Sequence, residues 1–355
     1  MTVFYINLSL VYALSLFARY IGKQTELIPA QFNANKFFAF LALTTLILVS
    51  GLRNNVGDTY YYMHSYREFD ITWETIDFTG DFGFNILQML LQQVSRDPQI
   101  MILTTAVLTN ILIGMTLYHY SRMFELSLYV YITIGYFLVS MNGIRQYLAA
   151  AIVFAATKFI INGDFKKYLL VVLLASTIHQ TALILIPIYF IVRSPAWSKV
   201  TFLLLFLSIL IVMGFNQFMD LLFKAIEDTQ YGGYSDFQEG GANFLRVAVS
   251  AAPVMLAFIG RDKLKEIYPK SDVIVNMSVL SLLFMIISTQ NWIFARFSIY
   301  FGLYQLILVS WIVKLFAEKD QKIVYFGILG CYFIYFYYEH VIALNMFYKS
   351  NYINL

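Results

Sequence analysis

Eleven apolar runs follow one another along this chain, at roughly 2–18, 37–52, 99–119, 126–141, 144–162, 168–192, 200–215, 243–260, 272–288, 295–313 and 323–338. A helix needs roughly 20 mostly apolar residues to cross the hydrocarbon core of a bilayer. No water-soluble surface could conceal so many runs: 60% of the 355 residues are hydrophobic, 13% are charged, and mean hydropathy is +0.68. The expected fold is an all-α polytopic membrane protein of about eleven helical units. With no internal repeat, low-complexity tract or linker, residues 1–355 read as a single transmembrane domain with outer loops at 53–98 and 216–243. The segment "MTVFYINLSLVYALSLFARYIG" lacks a positive amino-terminal region and a small-residue cleavage site, so it reads as a retained first helix.

Charge excludes some functions and orients the rest. The net charge of +3 is dispersed over short loops, which argues against a nucleic-acid partner. One cysteine, Cys331, leaves no intrachain disulfide and no cysteine metal site. If every apolar run crossed once, "NGDFKK" (162–167) and "RDKLKEIYPKSD" (261–272) would face opposite sides although both are lysine-rich, against the positive-inside rule. The conflict vanishes if 168–192 is a re-entrant hairpin, two half-length helices meeting near "IHQT". Arg19, Lys23, Lys36, Arg122, Lys158, Lys166, Lys167, Arg193, Lys199, Arg261 to Lys270 and Lys314 to Lys322 then share the cytoplasmic side, and both termini lie outside. The outer loop 53–98 carries Asp58, Glu68, Asp70, Glu74, Asp77, Asp81 and Asp97 against Arg53, Arg67 and Arg96, a balance of 3 − 7 = −4.

This topology puts His179 of "STIHQTAL" at the turn of the hairpin, where non-helical backbone is tolerated only inside protein or beside a wet cavity. A histidine there either bonds a neighbouring helix or does chemistry. Within 53–98, "DFGFNILQMLLQQVS" (81–95) has helical apolar spacing but is too short to span, and is expected in the interface. In 216–243 an amphipathic start, "NQFMDLLFKAIED", precedes "YGGYSDFQEGGAN", whose paired glycines suit either a lid or a surface loop.

Four arginines mark outer helix ends: Arg53, Arg145, Arg246 and Arg296. Three of them, Arg145, Arg246 and Arg296, open helices that run inward, so helix dipoles reinforce their charge. Any single one could snorkel to lipid headgroups; all four on one side point to a shared anionic ligand, and arginine's planar fork suits phosphate. The sequence has no GxxxxGKS loop, HExxH, paired Cys/His spacing or DxD pair, so no metal site and no cofactor are expected. Asp58, His64 and Glu68 in "GLRNNVGDTYYYMHSYRE", with His179, supply acids and bases. Tyr60, Tyr61, Tyr62 and His64 could contact sugar, although tyrosine at a membrane interface is ordinary.

"GLRNNVGDTYYY", "NGIRQYLAAAIVFAA" and "LLASTIHQTALILIPIYF" resemble, in order and spacing, segments of the EpsG family of Wzy-like exopolysaccharide polymerases. The likeness spans roughly residues 1–320 in helix pattern. It implies polymerisation of lipid-linked oligosaccharide repeat units at the outer face of the bacterial cytoplasmic membrane, the growing glycan passing from polyprenyl diphosphate to the non-reducing sugar of a new unit. The positions carried over are Arg53, Gly57, Asp58, Arg145 and His179, with Arg296 supported by position. In this reading Arg145 and Arg296 stabilise the leaving diphosphate without a metal, helped by Arg53 and Arg246. Either Asp58 or His179 takes the acceptor proton, and Asp58 could instead orient Arg53. Single displacement would invert the anomeric configuration. The expected partners are a polyprenyl-diphosphate-linked oligosaccharide and membrane lipid, with room for a chain-length-regulating protein. A flippase for the same lipids would want the same arginines but two pseudo-symmetric halves, and a ligase would share the donor site.

Overall fold

The computed structural model describes residues 1–24, 32–226 and 240–353. They are helical almost throughout, apart from a two-residue antiparallel pair at Lys23–Gln24 and Phe32–Asn33. In chain order the α-helices are α1 (Thr2–Tyr20), α2 (Lys36–Gly51), α3 (Thr59–Glu68), α4 (Phe82–Val94), α5 (Gln99–Tyr120), α6 (Phe124–Thr133), α7 (Tyr136–Asn142), α8 (Ile144–Ala155) and α9 (Thr157–Asn162). Then come α10 (Phe165–Ile178), α11 (Leu185–Val192), α12 (Lys199–Met213), α13 (Phe215–Ile226), α14 (Phe244–Ile259), α15 (Arg261–Ile267), α16 (Asp272–Ile287), α17 (Ile293–Ile312) and α18 (Glu318–Phe336).

Each of the eleven apolar runs has a helical counterpart, but their lengths differ. Among the described residues four helices are long and apolar enough to cross a membrane: Thr2–Tyr20, Gln99–Tyr120, Ile144–Asn162 and Ile293–Leu315. The number is six if two bent pairs count as single spans: α6 with α7, bent by 55°, and α14 with α15, bent by 84°. Lys36–Gly51, Gln180–Val192, Lys199–Met213 and Asp272–Ile287 are apolar but shorter. The chain is an integral membrane protein. Of the four long helices Ile293–Leu315 is the most enclosed, 89% buried, so protein rather than lipid surrounds most of it; Phe301 stacks on Phe284 of α16 at 5.4 Å and 2°.

Contacts sort the helix ends into two groups. At one end Arg19 pairs with the buried Glu125, Trp311 donates to the Tyr120 carbonyl at 2.8 Å, and Arg193 donates to the Ile160 carbonyl at 2.6 Å. Lys270 reaches Asn162 there at 3.4 Å. At the other end Gln99 donates to the carbonyls of Gly51 and Arg53, Gln146 donates to the Arg296 carbonyl at 2.9 Å, and the Ala242 amide donates to Ser288. The amino-terminal Phe4 touches Tyr348 at this same end. Lysine and arginine of the connecting loops crowd the first end.

The segment expected to turn back does so. α10 ends at Ile178, His179 is extended (φ −155°, ψ 114°), and a 3-10 turn over Gln180–Ile184 leads into α11. The foot of α10 then meets the end of α11: Tyr168 lies 5.3 Å from Tyr189, and Phe165 lies 5.0 Å from both Tyr189 and Phe190. The 14 residues of α10 rise about 21 Å, too little to cross a hydrocarbon core of about 30 Å. Both feet therefore stand at the basic end, and His179 is carried part of the way toward the opposite end, where it meets Asp81 of the 53–98 loop.

The outer loops form helices where periodicity places them. α4 buries Phe84, Gln88, Met89 and Gln92 against α5 and α10 and exposes Leu90 and Val94, so it is a protein-packed helix with an apolar outer edge. α13 is the amphipathic start of 216–243. Most of "YGGYSDFQEGGAN" lies outside the described residues.

Candidate active site at the hairpin tip

The site is assembled on one carboxylate. Asp81, 7% exposed, accepts from His179 Nδ1 at 2.9 Å, from the Gln180 amide at 2.9 Å and from Arg145 Nη1 at 3.0 Å. Arg145 Nε also donates to the Tyr62 hydroxyl at 3.3 Å. Each partner owes its place to local structure. Gly143 separates α7 from α8, so Arg145 stands in the first turn of α8, where unpaired amides and the helix dipole favour anions. His179 stands at the reversal of the hairpin. Asp81 occupies the N-cap position of α4 but makes no side-chain cap bond; its carboxylate is spent on the hairpin instead.

Gly83 makes that approach possible. A Cβ built there would lie 2.2 Å from Thr177 Oγ1, 2.8 Å from Thr177 Cβ and 3.0 Å from its backbone carbon. Gly83→Ala is expected to force α4 off the end of α10 and to part Asp81 from His179. Misplacement of about 1 Å costs up to roughly 10²-fold in rate, so any reaction that depends on this pairing should slow by that order. A partial recovery in Gly83→Ala/Thr177→Gly is the check; no loss in the single variant would contradict the packing argument.

The electrostatics follow from the geometry. Burial alone would push the Asp81 carboxyl up, but the hydrogen bond and charge of His179, the Gln180 amide and Arg145 outweigh it and hold it below the usual carboxylate range. A depressed carboxyl contributes stability above its unfolded pKa and loses it as pH falls through the folded value. The anchor is thus ionised at neutral pH. Because the carboxylate can only accept, His179 Nδ1 carries the hydrogen, which leaves Nε2 to face away from Asp81.

Arg296 belongs to the same neighbourhood. Its carbonyl accepts from Gln146, the residue after Arg145, and its guanidinium lies 4.9 Å from the Trp292 ring centroid. No ion pair of Arg296 occurs among the described residues. One turn on, the Tyr300 hydroxyl bonds that of Thr181 in the hairpin at 2.8 Å.

The remaining expected residues lie elsewhere. Arg53 is 1% exposed; it donates to the Met141 carbonyl at 2.6 Å, the Thr59 hydroxyl at 3.1 Å and the Ser50 carbonyl. Those carbonyls end α7 and α2, where a cation offsets the negative helix termini. Arg53 therefore ties two helix ends together and is enclosed, rather than presented to a ligand. Asp58 does not orient it: the Asp58 amide accepts no role there and instead donates to Asn142 at 2.9 Å, and the carboxylate makes no hydrogen bond among the described residues. The adjoining Gly57 (φ +53°) lets this turn pass against Asn142, which a Cβ would meet at 2.1 Å. Arg53→Ala is expected to lower stability by on the order of 3 kcal/mol, from lost charged hydrogen bonds and orphaned carbonyls. A thermal melt in detergent measures this, and an unchanged melt would contradict the tie.

Arg246 is also engaged, its Nε donating to the buried Glu339 at 2.7 Å. Glu339 and His340 sit in a π turn at Tyr337–Ala343, with His340 packed 5.0 Å from the Phe336 ring. Tyr60, Tyr61 and His64 are exposed on α3, whereas Tyr62 turns inward to Arg145. Asp81 itself is the residue that sequence reading passes over, as one acid of seven in its loop.

A family model, the EpsG family, matches residues 36–354. The chain belongs to the EpsG family. Membership implies a role in exopolysaccharide biosynthesis, and the matched region takes in every member of the cluster around Asp81. No curated protein and no solved structure matches this EpsG chain.

Proposed function

We propose that this EpsG protein polymerises lipid-linked oligosaccharide repeat units, moving the growing glycan from polyprenyl diphosphate to the non-reducing end of a new unit at the outer face of the bacterial cytoplasmic membrane. The observation that carries the reading is the convergence of Arg145 and His179 on Asp81 at the tip of a hairpin whose feet stand at the basic end. Lysine and arginine excess marks the cytoplasmic side, which supports an Asp81 end that faces outward.

The chemistry follows from the parts. An acceptor hydroxyl oxygen attacks the anomeric carbon that bears the diphosphate; the new C–O bond forms as the old one breaks, and polyprenyl diphosphate departs with the electron pair. His179 Nε2 takes the hydroxyl proton, with Asp81 holding the ring and stabilising the imidazolium that results. Arg145 and Arg296 face the negative charge that grows on the leaving group. Asp81 offsets part of the Arg145 charge, so Arg296 supplies the surplus. Attack opposite the diphosphate inverts the anomeric centre. Between the two bases open at the sequence level, His179 is preferred because a second group orients it, and Asp58 has none.

Purified protein in nanodiscs, given one defined polyprenyl-diphosphate-linked repeat unit, should release one polyprenyl diphosphate per glycosidic bond, with inverted linkage by NMR. Movement of the lipid across the bilayer without bond formation would replace this reading with a flippase. Transfer only to a different acceptor would replace it with a ligase.

A further inference from the structure

We infer that the carboxyl-terminal tail and α3 enclose a second site, a cleft that binds a short oligosaccharide through its sugar rings and hydroxyls; that the sugar belongs to a polymerase substrate rests on the function proposed above. After the π turn, the tail runs back along residues 52–55. The Asn54 amide donates to the Lys349 carbonyl at 3.0 Å, the Lys349 amide to Asn55 Oδ1 at 2.7 Å, Asn55 Nδ2 to the Phe347 carbonyl at 2.8 Å, and the Tyr348 hydroxyl to the Val49 carbonyl at 2.9 Å. These bonds join segments almost 300 residues apart in sequence, with separations of 292 to 299. Between the tail and α3 they leave a cleft of about 630 Å³, within the roughly 300–1,000 Å³ of small-ligand sites.

Its lining has the chemistry that sugars require. Tyr60, Met63, His64 and Arg67 follow helical i, i+3, i+4, i+7 spacing and so form one wall from one face of α3. The rings of Tyr60 and His64 are nearly parallel, 5° apart with centroids at 6.0 Å, and present flat aromatic surface for the C–H face of a pyranose. Opposite them, Asn54 Nδ2 donates to Asn351 Oδ1 at 2.8 Å, which fixes both amides. Asn54 Oδ1 and Asn351 Nδ2 then have no protein partner among the described residues, offering an acceptor and a donor set held in place. Such paired capacity matches hydroxyls, which do both. Arg67 and Lys349 line the cleft and no carboxylate does, so acidic sugar substituents are accommodated.

The cleft is built apart from the diphosphate cluster yet tied to it. α3 turns Tyr60 and His64 to the cleft and Tyr62 to Arg145. One ten-residue helix thus stands between the two sites, as an enzyme holding sugars beside a reacting anomeric carbon would require.

The test uses the full-length protein in nanodiscs and, as probe, lipid-free oligosaccharides from partial hydrolysis of the source organism's exopolysaccharide. Saturation-transfer NMR should show binding to wild type and to Arg145→Ala alike, and binding weaker by about 10-fold or more in Tyr60→Ala/His64→Ala and in Asn351→Ala. Thermal melts check that these surface variants remain folded. No transfer to wild type, or undiminished transfer to folded cleft variants, would overturn the assignment, as would binding that vanishes with Arg145→Ala. Because the probe carries no diphosphate, the cleft can stand if elongation fails, and elongation can stand if the cleft fails.

Discussion

Replacing His179 by alanine is expected to lower the rate of glycan elongation by about 10²–10⁴-fold, the range a positioned general base contributes, while the protein stays folded. Folding should survive because Asp81 keeps the Gln180 amide and Arg145 as partners. Asp81→Asn should lower elongation through the same route, since the amide cannot hold the imidazole in one tautomer or balance the charge it gains. The double variant His179→Ala/Asp81→Asn should then be no slower than His179→Ala alone, because groups that act as a unit are not additive. Rates measured on lipid-linked substrate decide it. Full elongation in His179→Ala would make the histidine a structural tip of the hairpin and return attention to Asp58.

Arg145→Ala is expected to cost about 10²–10³-fold, the loss typical of removing one preorganised donor from a developing anion. The fall should appear in turnover more than in substrate affinity, because charge on the diphosphate grows only as the bond breaks. Arg145→Lys should restore only part of the rate. A lysine is a point charge, whereas the guanidinium reaches the Asp81 carboxylate through Nη1 and the Tyr62 hydroxyl through Nε together. Wild-type turnover in Arg145→Ala would remove the leaving-group role from this residue and leave Arg296 to carry it.

How much of this was legible beforehand depends on which kind of force positions each residue. The hairpin was readable because it is a consequence of loop charge: two lysine-rich segments had to share a side, and the Tyr168–Tyr189 contact is what sharing requires. Arg145 was readable because "NGIRQ" puts an arginine just after a helix-opening glycine. Arg53 shows the same outline, a lone arginine at a helix end, yet its guanidinium turns into the carbonyl termini of α2 and α7. Sequence shows that a cation stands at a helix end; it does not show whether water, lipid or a neighbouring carbonyl meets it. Arg246 differs from Arg296 for a similar reason, since its partner Glu339 is 93 residues away.

Asp81 was hidden by its company. Seven acids share its loop, and its two side-chain partners are 64 and 98 residues distant. One local sign was available: an aspartate opening a helix and followed two positions later by glycine, a pairing that permits both a carboxylate and a close backbone approach. The tail was unreadable for a plainer reason. Its aromatic composition suits a membrane interface, and only tertiary pairing with residues 52–55 reveals it as the wall of a cleft.

The most direct test of the central claim is a glycan ladder from purified protein in liposomes carrying polyprenyl-diphosphate-linked repeat units, run for wild type beside Arg145→Ala. The account predicts a ladder of lengthened products from wild type without added nucleotide, and starting material alone from Arg145→Ala. An unlengthened wild-type substrate that nonetheless crosses the bilayer, or an undiminished ladder from the variant, would contradict it.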